Sequence, residues 1–495
     1  MRTSDRKELS VKLVSTSGLD LCSKEYIALS HVWGGIEINC KTTTKNLAEY
    51  QDMGTRYDQL PGTFQEAVKV TAALGFRYIW IDSLCIVQDD LQDWEREAGK
   101  MASIYRGATL TLSATSARNS TEGATLSNKV VEPALQFPSA NGTLPAFAVR
   151  GQSREDLNPE RAMRKGPATS RAWILQEQVL SPRILNITDT QMVWQCATLT
   201  ESEDGLYYRD HDQYSSGNCY WDLLDTQNPT MRTDEDYRHF ERYWKWAARY
   251  MIRNLSYPSD QYAAFAGVTR HYQELSGNEP LIGLWREHLP LHLAWTCRKT
   301  VRDEKVPATV DNITLLLEYY ARRPSWTWMT YPHNAINVQY PGAINLTEPP
   351  IVVYSAEILQ TNISWSGEPL TSTPSGTITL RSAYDEVQSA PRDPEPPYYG
   401  WHYEGRKFEH PDWDPPYNLR ETVKAGGEAL NLVALSTIRR GDELLETSWL
   451  IIEPTGHPDG NQYMRVGVIA EITKIPRTWT APHKPHGSWR EIILV

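Results

Sequence analysis

The chain has 495 residues, with 50 basic against 61 acidic side chains and a net charge of −11, so a general affinity for nucleic-acid backbone is disfavoured. Apolar residues make up 40 % and charged residues 22 %, which excludes disorder over most of the length and calls for two or three domains. A signal-peptide core, a fixed-period repeat and a run of roughly 18 apolar residues are all absent from the sequence, so a cytoplasmic protein without a membrane span is expected.

The clearest order lies in residues 26–114. Tyr26-Ile27-Ala28-Leu29-Ser30 reads as a buried strand, and His31-Val32-Trp33-Gly34-Gly35 as the turn after it. After the break at Leu60-Pro61-Gly62, Thr63 and Glu66 have capping-box spacing, and Phe64, Ala67, Val68, Thr71 and Leu74 share one helical face up to the stop at Gly75. Tyr78-Ile79-Trp80-Ile81 reads as a second strand ending in Asp82-Ser83. Asp89-Asp90 precedes a helix whose face carries Trp94, Ala98, Met101 and Tyr105, and Ala108 to Ala114 forms a third strand. Strand, helix, strand, helix, strand argues for a parallel sheet with right-handed crossovers. Ligands of such sheets bind beyond the carboxyl ends of the strands, which makes Ser30 and Asp82 site candidates by position.

Residues 116–168 lose periodicity and read as an insertion or long loop. Ser170 to Leu180 is a short helix stopped by Ser181-Pro182, and 184–187 with 191–196 reads as a hairpin. Residues 200–232 are polar and loop-like, 234–256 helical, and Ser259 looks like the N-cap of a further helix. From about Trp326, apolar strand-like runs recur at 351–354, 377–380, 430–434, 449–452, 466–469 and 492–494, with the Pro-rich stretch Ala390 to Tyr399 among them. The domains expected are therefore residues 20–200 (α/β), 201–300 (helical) and 301–495 (β-rich).

No H-E-x-x-H, paired cysteine, Walker A loop, G-x-G-x-x-G or G-x-S-x-G string occurs, and no metal is expected. The six scattered cysteines read as free thiols, and Cys85, inside Leu84-Cys85-Ile86-Val87, as core packing and not as a partner of His31. The 18 Trp and 26 Tyr against 7 Phe read first as aromatic packing. Asp89, Asp90 and Asp93 suit the start of a helix, and Glu95 a solvated surface. Glu177 lies four residues after Trp173 on one helical face, where desolvation can tune a carboxylate. Spacing alone favours a surface residue or an ion-pair partner of Arg171 or Arg183.

The segments YIALSHVWGG (26–35), the run 60–117 with its W-I-D-S-L-C-I-x-Q-D-D core and D-W-x-x-E-x-x-x-M-x-x-I-Y helix, and SRAWILQEQVLSPRIL (170–185) closely resemble the fungal heterokaryon-incompatibility (HET) domain. Shorter pieces at 258–267, 283–285 and 323–328 look like those of longer HET proteins. The resemblance covers about residues 20–200 and implies a role in fungal non-self recognition and programmed cell death.

A second resemblance, to the flavodoxin-like TIR domain, rests on shorter strings: the strand ending at Ser30, the acidic strand end at Asp82, the Ser-rich turn after Leu112, and the Trp173-to-Glu177 spacing. The sequence departs from TIR domains in the insertion 116–168 and in Gln178, where a Leu follows the Glu in that family. The resemblance implies an NAD⁺ glycohydrolase with Glu177 as the catalytic group and NAD⁺ as substrate; Ser30, Trp33, Gly34, Asp82, Ser83 and Trp173 would line the cofactor-binding cleft. It also implies activation by homo-oligomerisation or by an incompatibility partner. The alternative class is a non-catalytic interaction module in incompatibility signalling.

Overall fold

The computed structural model describes residues 10–16, 25–35, 38, 40–123, 134–136, 146–148, 163–189, 191–196, 198–203, 205, 207–208, 243–299, 323–331, 333, 336–339, 352–388, 400–403, 406–409, 412–413, 429–440, 444–474 and 488–495. The chain divides into two compact units, Met1–Asn228 with Ala263–Val268, and Pro229–Tyr262 with Thr269–Val495.

In the first unit, β1 (Tyr26–Ser30), α1 (Gly62–Ala73), β2 (Tyr78–Trp80), α2 (Leu91–Gly107), β3 (Leu110–Ser113), α3 (Ala172–Leu180) and β4 (Arg183–Ile187) follow one another. They are continued by β5 (Met192–Cys196), β6 (Thr200–Ser202) and β7 (Tyr207–Tyr208). The sheet order is β7-β6-β5-β4-β3-β1-β2. β2, β1, β3 and β4 are mutually parallel, while β4–β5, β5–β6 and β6–β7 are antiparallel. The alternation expected for residues 26–114 is therefore observed, but the sheet is mixed and not wholly parallel. The polar stretch after residue 200, expected as loop, adds the two short strands β6 and β7 as far as it is described. β6 is held by pairing on β5 and β7 by pairing on β6, so tertiary pairing and not a long apolar run defines them.

Side-chain alternation divides β1 and β3 between two layers. Ile27, Leu29, Leu110 and Leu112 share one buried core with Phe64, Ala67 and Val68 of α1. On the other side of the sheet, Thr111 Oγ1 meets Ser181 Oγ at 2.6 Å just beyond α3, and the Tyr105 hydroxyl of α2 donates to the Leu29 carbonyl at 3.1 Å. α3 is buried nearly all round, from Ile174 to Leu180, its polar run Gln176-Glu177-Gln178 included. Gln176 there accepts the Gly267 amide of the segment Ala263–Val268 at 3.3 Å, and a Cβ at Gly267 would lie 2.6 Å from Gln176 Oε1.

Local signals were kept unevenly. Asp90 caps α2, accepting from the amides of Gln92 and Asp93, and Gly75 ends the α1 turn at φ +84°. Thr63 does not cap α1: Pro61 is the N-cap, and Thr63 is buried with its hydroxyl directed to the Asn119 carbonyl at 3.4 Å. Long-range packing takes the hydroxyl that a capping box would have used.

In the second unit, residues 243–251 are helical and Ala263–Ser276 is a helix spanning the unit boundary. Ser259 is not its N-cap; it sits in the 3₁₀ turn Pro258–Gln261, bonded to Asp260 Oδ1 at 3.3 Å. Each strand-like run read in the last third falls on a strand: 352–354, 374–388, 429–440, 444–454, 462–474 and 488–494. Leu432, Ala434, Trp449, Ile451, Val466 and Ile469 form a core of this sheet. The Pro-rich stretch 390–399 and most of the insertion 116–168 lie outside the described residues.

Candidate functional site

The chain leaves β1 for β2 on one side and then returns across β1 to β3 on the other. Order in the sheet thus reverses between β1 and β3, the position at which open α/β sheets receive ligands. Ser30 and Ser113 are register partners across this point, and Ser113 pairs in turn with Asn186. All three are buried. Ser113 Oγ lies 3.0 Å from Thr115 Oγ1, and Asn186 Nδ2 donates to Gln195 Oε1 at 2.8 Å. The carboxyl edge therefore carries a row of polar groups on the face covered by α2 and α3.

Glu177 of α3 reaches this edge with 6 % of its surface exposed. Burial pushes its carboxyl up to about 7. The Ser30 hydroxyl beside it favours the charged form, the Asp82 charge disfavours it, and Arg171 and the Tyr105 hydroxyl favour it. Neither hydroxyl closes a well-formed bond to Oε2: Glu177 Oε2, Ser30 Oγ, His31 Nε2 and Ser83 Oγ are all buried without a hydrogen-bond partner. Three of these, Ser30 Oγ, His31 Nε2 and Glu177 Oε2, belong to one linked group with Asp82 and Arg171, and such a departure from the usual satisfaction of buried polar groups calls for an explanation such as a ligand or water.

Asp82 opens a short helix, Asp82–Cys85, just after β2. Its Oδ2 accepts the Trp33 indole N–H at 2.8 Å, and its Oδ1 accepts the Ser83 amide at 2.7 Å. The same Oδ1 lies 3.8 Å from His31 Nε2, an approach too long for a hydrogen bond. The Asp82 side chain is 25 % exposed and that of His31 1 %. Burial pushes the His31 imidazole down; Asp82 opposes this and Arg171 reinforces it, so the ring is neutral at pH 7. The His31 ring also stands edge-on to Phe64, with centroids 5.0 Å apart.

The structure thus brings Ser30, Trp33, Asp82, Ser83 and Glu177 into one neighbourhood. Gly34 and Trp173 have other evident duties. Gly34 adopts φ +82°, and a Cβ there would lie 2.1 Å from Asn119 Cβ, so packing of the turn against Arg118 and Asn119 demands glycine. The Trp173 ring packs edge-on against Trp94, centroids 6.2 Å apart. Cys85 is half-buried, and burial pushes its thiol up to about 12, which removes it as a nucleophile at neutral pH. Among the described residues, no group of three or more His, Cys, Asp or Glu side chains could hold a metal ion. No helix among them is long and apolar enough to cross a membrane.

Sequence reasoning placed none of His31, Tyr105 and Arg171 at the site, although it offered Arg171 as an ion-pair partner of Glu177, on whose carboxyl its charge does act. Arg171 Nη1 donates to the His31 carbonyl at 3.3 Å, which holds the guanidinium over the end of β1. Tyr105 reads as a core aromatic of α2, which it also is, edge-on to Trp80 at 5.5 Å. No local pattern marks the hydroxyl as facing a carboxylate; only the alternation that turns Ser30 away from Leu29 offered a clue.

These residues define a mixed α/β domain with a buried polar cluster at the switch point of its sheet. Residues 26–177 match the family model of heterokaryon incompatibility protein (HET); the match spans every member of the cluster and ends on Glu177. No curated protein and no solved structure matches the chain.

Proposed function

We propose that the HET-matching domain of this chain is an NAD⁺ glycohydrolase acting in heterokaryon incompatibility, with Glu177 as its catalytic group. The observation that carries this reading is a buried carboxylate with an unpartnered oxygen, poised near 7 at the switch point beside Ser30. Scission of the nicotinamide–ribose bond leaves an oxocarbenium-like ribose and a neutral nicotinamide, so no general acid is needed. One ionised carboxylate stabilises the developing positive charge and holds the ribose hydroxyls. The parallel order β2-β1-β3-β4 is also the arrangement that flavodoxin-like domains use to bind nucleotides at this point.

Asp82 positions instead of reacting, since both of its oxygens are already engaged by Trp33 and Ser83. At 6 % exposure Glu177 meets substrate only after covering side chains part, which suits an enzyme silent until a partner or a second copy binds. The test is free nicotinamide released from NAD⁺ by wild type and by Glu177→Gln, each also under enforced oligomerisation. Loss of the charge should slow release by roughly 10²-fold or more. An equal rate would exclude Glu177, and no release by either protein would favour a non-catalytic interaction module.

A further inference from the structure

The same cluster carries a cation that the bond-breaking step does not require. Arg171 stands where the 3₁₀ turn Pro167–Ser170 gives way to α3, with extended backbone (φ −89°, ψ 135°) that takes it out of the helix as its N-cap. No side chain caps the first amides of this nine-residue helix. The guanidinium is carried to the end of β1 by its bond to the His31 carbonyl, three residues before the exposed Gly34-Gly35 turn. Its charge acts on His31 and on Glu177, which faces Ser30; Ser30 Oγ, His31 Nε2 and Glu177 Oε2 are buried and unpartnered, as is Ser83 Oγ, the neighbour of Asp82 in the chain.

These groups divide by chemistry. Two hydroxyls, a neutral imidazole nitrogen and a carboxylate oxygen can all exchange hydrogen bonds with sugar hydroxyls. A guanidinium beside uncapped helix amides is suited to a phosphate. A ribose carrying a phosphate on its 5′ carbon presents both faces at such short range, and it is the part of NAD⁺ that meets Glu177 in the proposed reaction.

We propose that Arg171 makes this a nucleotide site and not a nucleoside site, its guanidinium taking the 5′-phosphate of the ribose whose hydroxyls meet Glu177 and Ser30. The proposal rests on the NAD⁺ reading for its setting, and it adds that recognition requires the phosphate. Arg171 is then a specificity-determining residue, and a lysine in its place should serve in part, as a point charge without the planar fork.

The full chain is titrated calorimetrically with ADP-ribose and, separately, with adenosine, using wild type, Arg171→Gln and Arg171→Lys. Nicotinamide release from NAD⁺ and from nicotinamide riboside is followed in parallel. Wild type should bind ADP-ribose at least tenfold more tightly than adenosine. Arg171→Gln should lose on the order of 10- to 100-fold of the ADP-ribose affinity with adenosine binding unmoved, and Arg171→Lys should recover part of it. Equal affinity of wild type for ADP-ribose and adenosine overturns the proposal, and this comparison needs no variant to fold. So does an Arg171→Gln protein that keeps its ADP-ribose affinity, or a wild type that binds neither. The two readings fail separately. Arg171-dependent ADP-ribose binding without nicotinamide release would remove the reaction and keep the phosphate site. Release at equal rates from NAD⁺ and nicotinamide riboside would keep the reaction and remove the phosphate site.

Discussion

Replacing Glu177 by glutamine keeps the shape of the side chain and removes its titration, so the variant reads directly what the buried charge costs the fold. Burial lifts the carboxyl from its ordinary 4.5 to about 7 in the folded protein. At about 1.4 kcal/mol for each pH unit, that difference corresponds to roughly 3 kcal/mol. Its sign follows from proton binding. Between pH 4.5 and 7 the folded chain holds this proton more tightly than the unfolded chain, so stability falls as pH rises through that window. Below it the carboxyl is neutral in both states, and above it the fold carries the whole penalty. Thermal unfolding of wild type and Glu177→Gln, followed by circular dichroism from pH 5 to pH 8, is the assay. Relative to pH 5, the variant should gain on the order of 3 kcal/mol over wild type by pH 8, a widening of roughly 5–10 °C in midpoint for a unit of this size. The amide brings its own fixed offset, so the change with pH is the quantity that matters. A midpoint difference that stays constant from pH 5 to pH 8 would refute the buried-charge argument.

Three further outcomes are expected. Asp82→Asn keeps one acceptor oxygen for two donors, Trp33 Nε1 and the Ser83 amide, so it should cost about 1–3 kcal/mol and shift Trp33 fluorescence; an unchanged spectrum and midpoint would contradict the assigned bonds. Gly34→Ala should destabilise far more than Gly35→Ala: both sit at positive φ, but a Cβ at Gly34 falls 2.6 Å from Asn119 Cα, whereas at Gly35 it meets nothing within 4 Å, and equal melting midpoints would be inconsistent with that turn. With its thiol pushed up to about 12, Cys85 should resist iodoacetamide at pH 7.5 in the native protein and react once unfolded, as peptide mass mapping would reveal.

The part of the fold that was legible in the sequence is the part governed by local periodicity. Residues 26–114 alternate short apolar runs with one-faced helices, and β1, α1, β2, α2 and β3 fall where that pattern puts them. Signals that depend on a single side chain fared according to its competitors. Asp90 caps α2 because nothing else claims its carboxylate, while Thr63 is drawn to Asn119 from across the domain. β6 and β7 were not legible, because β6 takes its strand character from pairing on β5 and the two-residue β7 from pairing on β6. At the site, position at strand ends pointed to Ser30 and Asp82. The burial of Glu177 was hidden because α3 is enclosed on every side, so its Gln-Glu-Gln run looks like a solvated face. Arg171 and His31 join the cluster through a bond between residues 140 apart in sequence, which no spacing rule reaches.

Nicotinamide release from NAD⁺, measured from pH 5 to pH 9 with wild type and Glu177→Gln, tests the central claim most directly. If the charged carboxylate stabilises the oxocarbenium-like ribose, the wild-type rate should climb with pH and level off above about 7, as the proton leaves Glu177. Glu177→Gln should then be slower by roughly 10²-fold on the plateau and lose the rising limb. A wild-type profile that is flat across this range, or a glutamine variant that reproduces it, would contradict the account.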